Sequence, residues 1–300
     1  MGKGTLIRIQ LMIALLCIGL ILGACDSDTS ALATFTPSPA IIPPSATVAP
    51  VAPTANNLDS SNVGVSGFTP GAPPVVGGSG GETITPSPAP TEASISMTFI
   101  TNDGLSVAGT YYAAPTRPAP AALLLHMNGS NKNSWKAFAA QLQAAGYSVL
   151  AIDLRGHGET GGKVDWNKAP GDVLEVLNQM RNLPDVDPAR ISVIGASIGA
   201  NLAVQACADS QACKSVVMIS PGLNYLGVIA LDPLTRYGNG SVLIIASRDD
   251  QPSGTDSVTL DKAAKGNHTL QLYNGSAHGT DLLGTQPDVT RLVIQWLLTH

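Results

Sequence analysis

The alternation of apolar and polar positions divides the chain in two. From Asp26 to about Ser94 there is no sustained period of 2 or 3.6, and prolines recur too often for either. From Ile95 onward the pattern is regular. "SISMTFI" and "LSVAGTYYA" predict strands around the turn Asn102-Asp103-Gly104. "AALLLH" (121–126) is the short apolar run of a buried strand, and "SWKAFAAQLQAAG" (134–146) has helical spacing closed by a glycine. "YSVLAIDLRGHG" reads as a strand running into a glycine-rich loop. Strands follow at 190–194, 215–219, 241–247 and 268–273, and helices at 171–183, 198–208, 255–265 and 285–299. Strands that alternate with helices predict an α/β domain over 95–300, its central sheet mostly parallel and covered on both faces. Some 205 residues are ample for one core.

Composition changes the picture at the N-terminus. Residues 25–94 are rich in Pro, Ser, Thr and Ala; they carry no Lys or Arg, and Asp26, Asp28, Asp59, Glu82 and Glu92 are their acids. Such a stretch cannot bury enough surface to offset its ordering entropy, which predicts a disordered tether. Ahead of it, Lys3 and Arg8 precede an apolar run from Leu11 to Leu22 and the small residues Gly23 and Ala24. These are the marks of an export signal over 1–24, and the run is shorter than the about 20 residues a membrane span needs. Leu22-Gly23-Ala24-Cys25 resembles the bacterial lipobox, which implies cleavage before Cys25, acylation of its thiol and attachment to the cell membrane facing outside the cytoplasm. Of four cysteines, Cys17 would leave with the leader, so Cys207 and Cys213 remain as a disulfide or as two buried thiols. Loss of Lys3 and Arg8 takes the formal charge from -5 to -7. An acidic chain without a basic cluster argues against nucleic acid as a partner.

Two stretches satisfy G-x-S-x-G. Gly77-Gly78-Ser79-Gly80-Gly81 lies in the tether, with no strand before it and no helix after. Gly195-Ala196-Ser197-Ile198-Gly199 stands between the β-branched "RISVIG" and the helical "IGANLAVQACA". A sharp strand-turn-helix needs small residues two before and two after the serine, and it sets the serine at a helix N-terminus that favours negative charge. The same pattern also suits a phosphate-binding turn or plain packing, so a partner base has to decide. Five histidines are available. His126 and His157 precede the serine, His268 begins a strand and His300 ends the chain. His278, in "LYNGSAHGTDLL" between the last strand and the last helix, can reach over the sheet edge. The acid that holds the base should follow the strand between them, where "VLIIASRDDQ" offers Asp249 and Asp250. Asp249, three residues past Ala246 at the position such loops usually give to glycine, is the first choice, and Asp250 is the alternative.

The order Ser197, Asp249, His278, each after its own strand, together with "LLLHMNGS" (123–130) and "DLRGHG" (153–158), resembles the α/β-hydrolase family, most nearly its dienelactone-hydrolase and small-esterase branches. The resemblance covers roughly 95–300. It implies hydrolysis of carboxylic esters through a serine acyl-enzyme, with no metal or cofactor, and a small or polymer-end ester as substrate. The short 220–240 connection leaves no room for a large cap domain. The oxyanion donors implied are the N–H of Ile198 and one from the loop after "LLLH", either Asn128 or Met127. Met127 stands where the family usually has glycine. A peptidase or acyltransferase of the same fold, or a catalytically silent binding lipoprotein, are the alternatives. A solute-binding lipoprotein would need two similar lobes.

Overall fold

The architecture is that of a computed structural model, which describes residues 94–210 and 212–300. The leader, Cys25 and the tether lie outside the described residues. The domain begins with an antiparallel pair, β1 (Ile95–Ile100) and β2 (Ser106–Tyr112). Their turn closes with Gly104 N–H donating to Thr101 O at 2.9 Å.

Six further strands complete one eight-stranded sheet: β3 (Ala119–Leu125), β4 (Ser148–Ile152), β5 (Val186–Ala196), β6 (Cys213–Ile219), β9 (Ser241–Ser247) and β10 (His268–Tyr273). Its order is β1-β2-β4-β3-β5-β6-β9-β10, antiparallel up to the β2–β4 contact and parallel from there on. Strand β5, which leads into Ser197, sits centrally, with β3 and β6 as its neighbours. Between β6 and β9 lie a hairpin of two-residue strands, β7 (Asn224–Tyr225) and β8 (Val228–Ile229), and the short helix α4 (Leu231–Tyr237). No large cap is inserted there.

Successive strand residues point to opposite faces, and both faces are apolar, as a covered parallel sheet requires. Leu123, Leu125, Val193, Val216, Met218 and Ile244 pack toward α2 (Ala169–Met180) and α3 (Ile198–Ser210). The alternate residues Leu124, Ile194, Val217, Ile219, Leu243 and Ile245 pack with Trp135, Phe138, Val293 and Trp296, from the region of α1 (Lys136–Ala144) and from α7 (Val289–Thr299). α5 (Ser253–Ala263) lies between β9 and β10 in the chain.

Strands 241–247 and 268–273 fall where their residues predicted them. The expected helix 285–299 is instead two pieces, α6 (Asp281–Thr285) and α7. Pro287 separates them: it has no N–H to donate, and it excludes the α region at Gln286, which stands at φ -119° and ψ 97°. The expected helix 134–146 starts late for a similar local reason, because Lys132–Trp135 winds as a tighter 3₁₀ turn capped by the Asn131 side chain.

Candidate active site

Ser197 occupies the single residue between β5 and α3 and has φ 55°. A left-handed conformation at a non-glycine residue is costly, about 1–3 kcal/mol, and persists only where the surroundings fix it. Here Ser197 N–H donates to Ile219 O at 2.8 Å, and Ser197 O accepts from Ala200 N at 2.9 Å. The flanking glycines are required by contact. A Cβ on Gly195 would lie 2.5 Å from Ala200 N, and one on Gly199 would lie 2.6 Å from His126 O. The elbow therefore presses α3 directly against the end of β3.

His278 sits in the loop between β10 and α6. Two serines fasten this loop: Ser220 Oγ accepts from Gly279 N at 2.9 Å, and Ser247 Oγ donates to Ala277 O at 2.8 Å. The His278 Nδ1 is 2.8 Å from Asp250 Oδ2. A carboxylate at that distance holds the proton on Nδ1, which leaves Nε2 as the free, basic nitrogen. His278, Ser197, Ile198, Met127, Asn128 and Tyr225 line one cleft of about 320 Å³.

The acid partner of His278 is Asp250, and the first choice, Asp249, is corrected. Past the end of β9 the chain keeps pairing with the β10 side: Arg248 N–H donates to Tyr273 O at 2.9 Å and Asp249 N–H to Gly275 O at 3.0 Å. The backbone turns inward one residue later than a count from Ala246 suggests. Asp249 is left exposed, while Asp250 is 8% exposed beneath the histidine.

The loop after β3 is anchored by two buried polar groups. His126 Nε2 accepts from Leu154 N at 3.0 Å, so its proton is on Nδ1, which donates to Met127 O at 2.8 Å. Burial, the largest influence, pushes its pKa down to about 4, so the ring stays neutral. Asp153 is fully buried, and its carboxylate accepts from Lys132 Nζ and Lys132 N, each at 2.7 Å, and from Glu159 N at 2.8 Å. These donors, led by Lys132, outweigh burial and keep the Asp153 carboxyl below its ordinary range. The Met127 carbonyl also accepts from Ser130 N at 3.2 Å. The Ile198 N–H lies in the first turn of α3, where no helix carbonyl can reach it.

Residues 117–237 match the family described as serine aminopeptidase, S33. The putative hydrolase YtaP of Bacillus subtilis is 28% identical over 166 residues, covering 45% of this chain and 56% of that one. An uncharacterized protein of Mycobacterium tuberculosis is 32% identical over 105 residues, covering 35% and 37%. The chain thus spans between about a third and just over half of the length of these relatives. Among solved structures, a dienelactone hydrolase from Anabaena variabilis superposes with a TM-score of 0.59 at 18% identity, covering 69% of this chain and 98% of that one. An acetyl xylan esterase from Paenibacillus superposes with a TM-score of 0.61 at 15% identity, covering 72% and 87%. The fold is that of the α/β hydrolases.

Within this α/β-hydrolase fold the structure adds a residue that the sequence does not point to. Tyr225, on β7, reaches over the cleft with its hydroxyl 2.5 Å from Ser253 Oγ and its ring perpendicular to His278 at 6.3 Å. Burial raises its pKa. Its hairpin is fastened to α3, the helix that follows Ser197: Asn201 Nδ2 donates to Gly222 O at 2.9 Å and to Val228 O at 2.8 Å, and Gln205 Nε2 donates to Ile229 O at 2.7 Å. The one trace of this in the sequence is an amide, Asn201, about one turn past the serine.

The remaining candidates lie elsewhere. His157 packs edge-on to His126 at 5.1 Å, with Nε2 3.3 Å from Asn128 Oδ1. His268 is exposed on β10, and His300 stacks on Trp296. Cys207 and Cys213 are joined, with Cα atoms 5.1 Å apart. Among the described residues no group of three or more His, Cys, Asp or Glu is placed to hold a metal ion, and no helix is long and apolar enough to cross a membrane.

Proposed function

We propose that this chain is a serine hydrolase of carboxylic esters. The observation that carries this is the 2.8 Å bond from His278 Nδ1 to Asp250, with His278 and Ser197 lining one cleft. His278 Nε2 takes the Ser197 proton as Oγ bonds to the ester carbonyl carbon. The carbonyl electrons move onto oxygen, stabilised by the Ile198 N–H and an N–H of Asn128 or Met127. As the tetrahedral centre collapses, the bond to the alkoxy oxygen breaks and His278 returns the proton to the departing alcohol. Water then repeats the sequence on the acyl-enzyme, releasing the acid and restoring Ser197.

The other residues lining the cleft are uncharged, and its nearby carboxylate, Asp250, is engaged by His278. That favours a neutral ester over a substrate with a free amino terminus, which would need an anion to receive it. The likeness to the dienelactone hydrolase and the acetyl xylan esterase supports ester chemistry in general, not a particular substrate. We further propose export and lipid attachment through Cys25, on the strength of the Leu22–Cys25 pattern.

Fluorophosphonate labelling tests the central step. Stoichiometric phosphonylation mapped to Ser197 and absent in Ser197→Ala is the expected result. A folded protein that takes no label would refute it and favour a binding protein of the same fold. Radiolabelled palmitate incorporation that disappears in Cys25→Ala tests the anchor.

A further inference from the structure

A second, larger cavity of about 760 Å³ is lined in part by the loop that carries His278. Ser276, Ala277 and Thr280 of that loop line it with Asp281 at the start of α6, as do Ser134 and Gln141. One side chain, Met127, touches a wall of each. Met127 lines the cleft, yet its sulfur lies 4.0 Å from Thr280 Oγ1, on the wall of the larger cavity. The thioether lies flat against Gly279, where a Cβ would come 2.7 Å from Met127 Sδ. It packs on the same apolar cluster as Ala277 and Leu283. A flexible, unbranched side chain seated on a bare glycine is a plug held by dispersion contacts and one weak hydroxyl-to-sulfur bond from Thr280.

We infer that Met127 is a specificity-determining residue that closes the alcohol end of the catalytic cleft. This rests on the ester-hydrolase function proposed above. The departing alcohol must lie beside His278 Nε2, the atom that returns its proton, so the alcohol portion projects toward the His278 loop and meets Met127. With the thioether in place, the alcohol is confined to a cleft of about 320 Å³. The larger cavity is lined by Ser134, Gln141, Ser276, Thr280 and a single carboxylate, Asp281, beside the apolar Phe138 and Leu283. That lining suits an uncharged, hydroxyl-bearing group such as a sugar. Met127 thus selects small alcohols, and its removal should admit polyol esters.

The test holds the acyl group constant as acetate and varies the alcohol through ethanol, cyclohexanol and the 6-hydroxyl of glucose. In Met127→Ala, kcat/KM for the two bulky acetates should rise about tenfold or more relative to ethyl acetate, while Met127→Leu keeps the native profile. A parallel series of ethyl esters with lengthening acyl chains should keep its profile in both variants. Met127→Val, which keeps bulk at Cβ, should move the alcohol profile the same way by less, and it decides the matter if the alanine variant does not fold. Equal changes for all alcohols, or a shift in the acyl series instead, would overturn the inference. Labelling at Ser197 with an unmoved alcohol profile would sink this inference alone. No labelling and no ester turnover in the native chain would sink the proposed function, and this with it.

Discussion

Acidification should destabilise the domain through one buried ring. His126 is fully buried at the end of β3, with Nε2 accepting from Leu154 N–H and Nδ1–H donating to Met127 O. Burial lowers its pKa from 6.5 to about 4. In the unfolded chain the imidazole binds a proton as the pH drops through 6.5, whereas the folded ring resists until about 4. The unfolded state therefore binds more protons in that window, and stability falls as pH falls through it. Above 6.5 the contribution is fully present, and by about 4 it is lost. A gap of that width corresponds to about 3 kcal/mol, a large part of a typical domain's stability.

Asp172 works in the opposite sense, because burial raises its carboxyl and lets the folded state take up that proton first. The raw slope is thus a sum, and the difference between the native chain and His126→Gln isolates the ring. Glutamine can still accept from Leu154 N–H and does not titrate. Urea unfolding followed by tryptophan fluorescence at about pH 7, 5.5 and 4 gives the three points required. The native chain should lose about 3 kcal/mol relative to the variant between the first and the last. If the two lose stability in parallel, the buried-ring argument is wrong.

Asp250→Asn should lower kcat by about 10⁴-fold by releasing the His278 tautomer, while Asp249→Asn leaves steady-state turnover within about twofold. Gly199→Ala should abolish labelling and destabilise the fold, as read by thermal melting, because the added methyl would sit 2.6 Å from His126 O, where backbone cannot yield. Tyr225→Phe removes the 2.5 Å bond to Ser253 and should cost about 1 kcal/mol in urea unfolding; no loss would mean that the hydroxyl is not holding the hairpin. Replacing Cys207 and Cys213 by serine opens a loop with a sequence separation of 6 and should cost about 2 kcal/mol by the same assay.

Local chemistry made the elements and the elbow legible. Apolar strands, glycines two before and two after Ser197, and the strand before His278 are each set by residues close together in the chain. Where the signal depended on a partner, the sequence was insufficient. Choosing between Asp249 and Asp250 required knowing that residues 248 and 249 are held by carbonyls of Tyr273 and Gly275, some 25 residues away in the chain. Tyr225 became a cleft residue only because Asn201 and Gln205 bind the hairpin to α3, and no periodicity encodes that pairing. Met127 looked like a misfit in a glycine position; its role as a wall exists only because Gly279 and Thr280 come to lie against it. Backbone geometry within an element is set by steric and hydrogen-bonding preferences of neighbours in sequence, so the sequence alone determined the order of strands and helices and the serine at their turn. The direction a side chain takes at a loop depends on what packs against it, and that was decided by the tertiary structure.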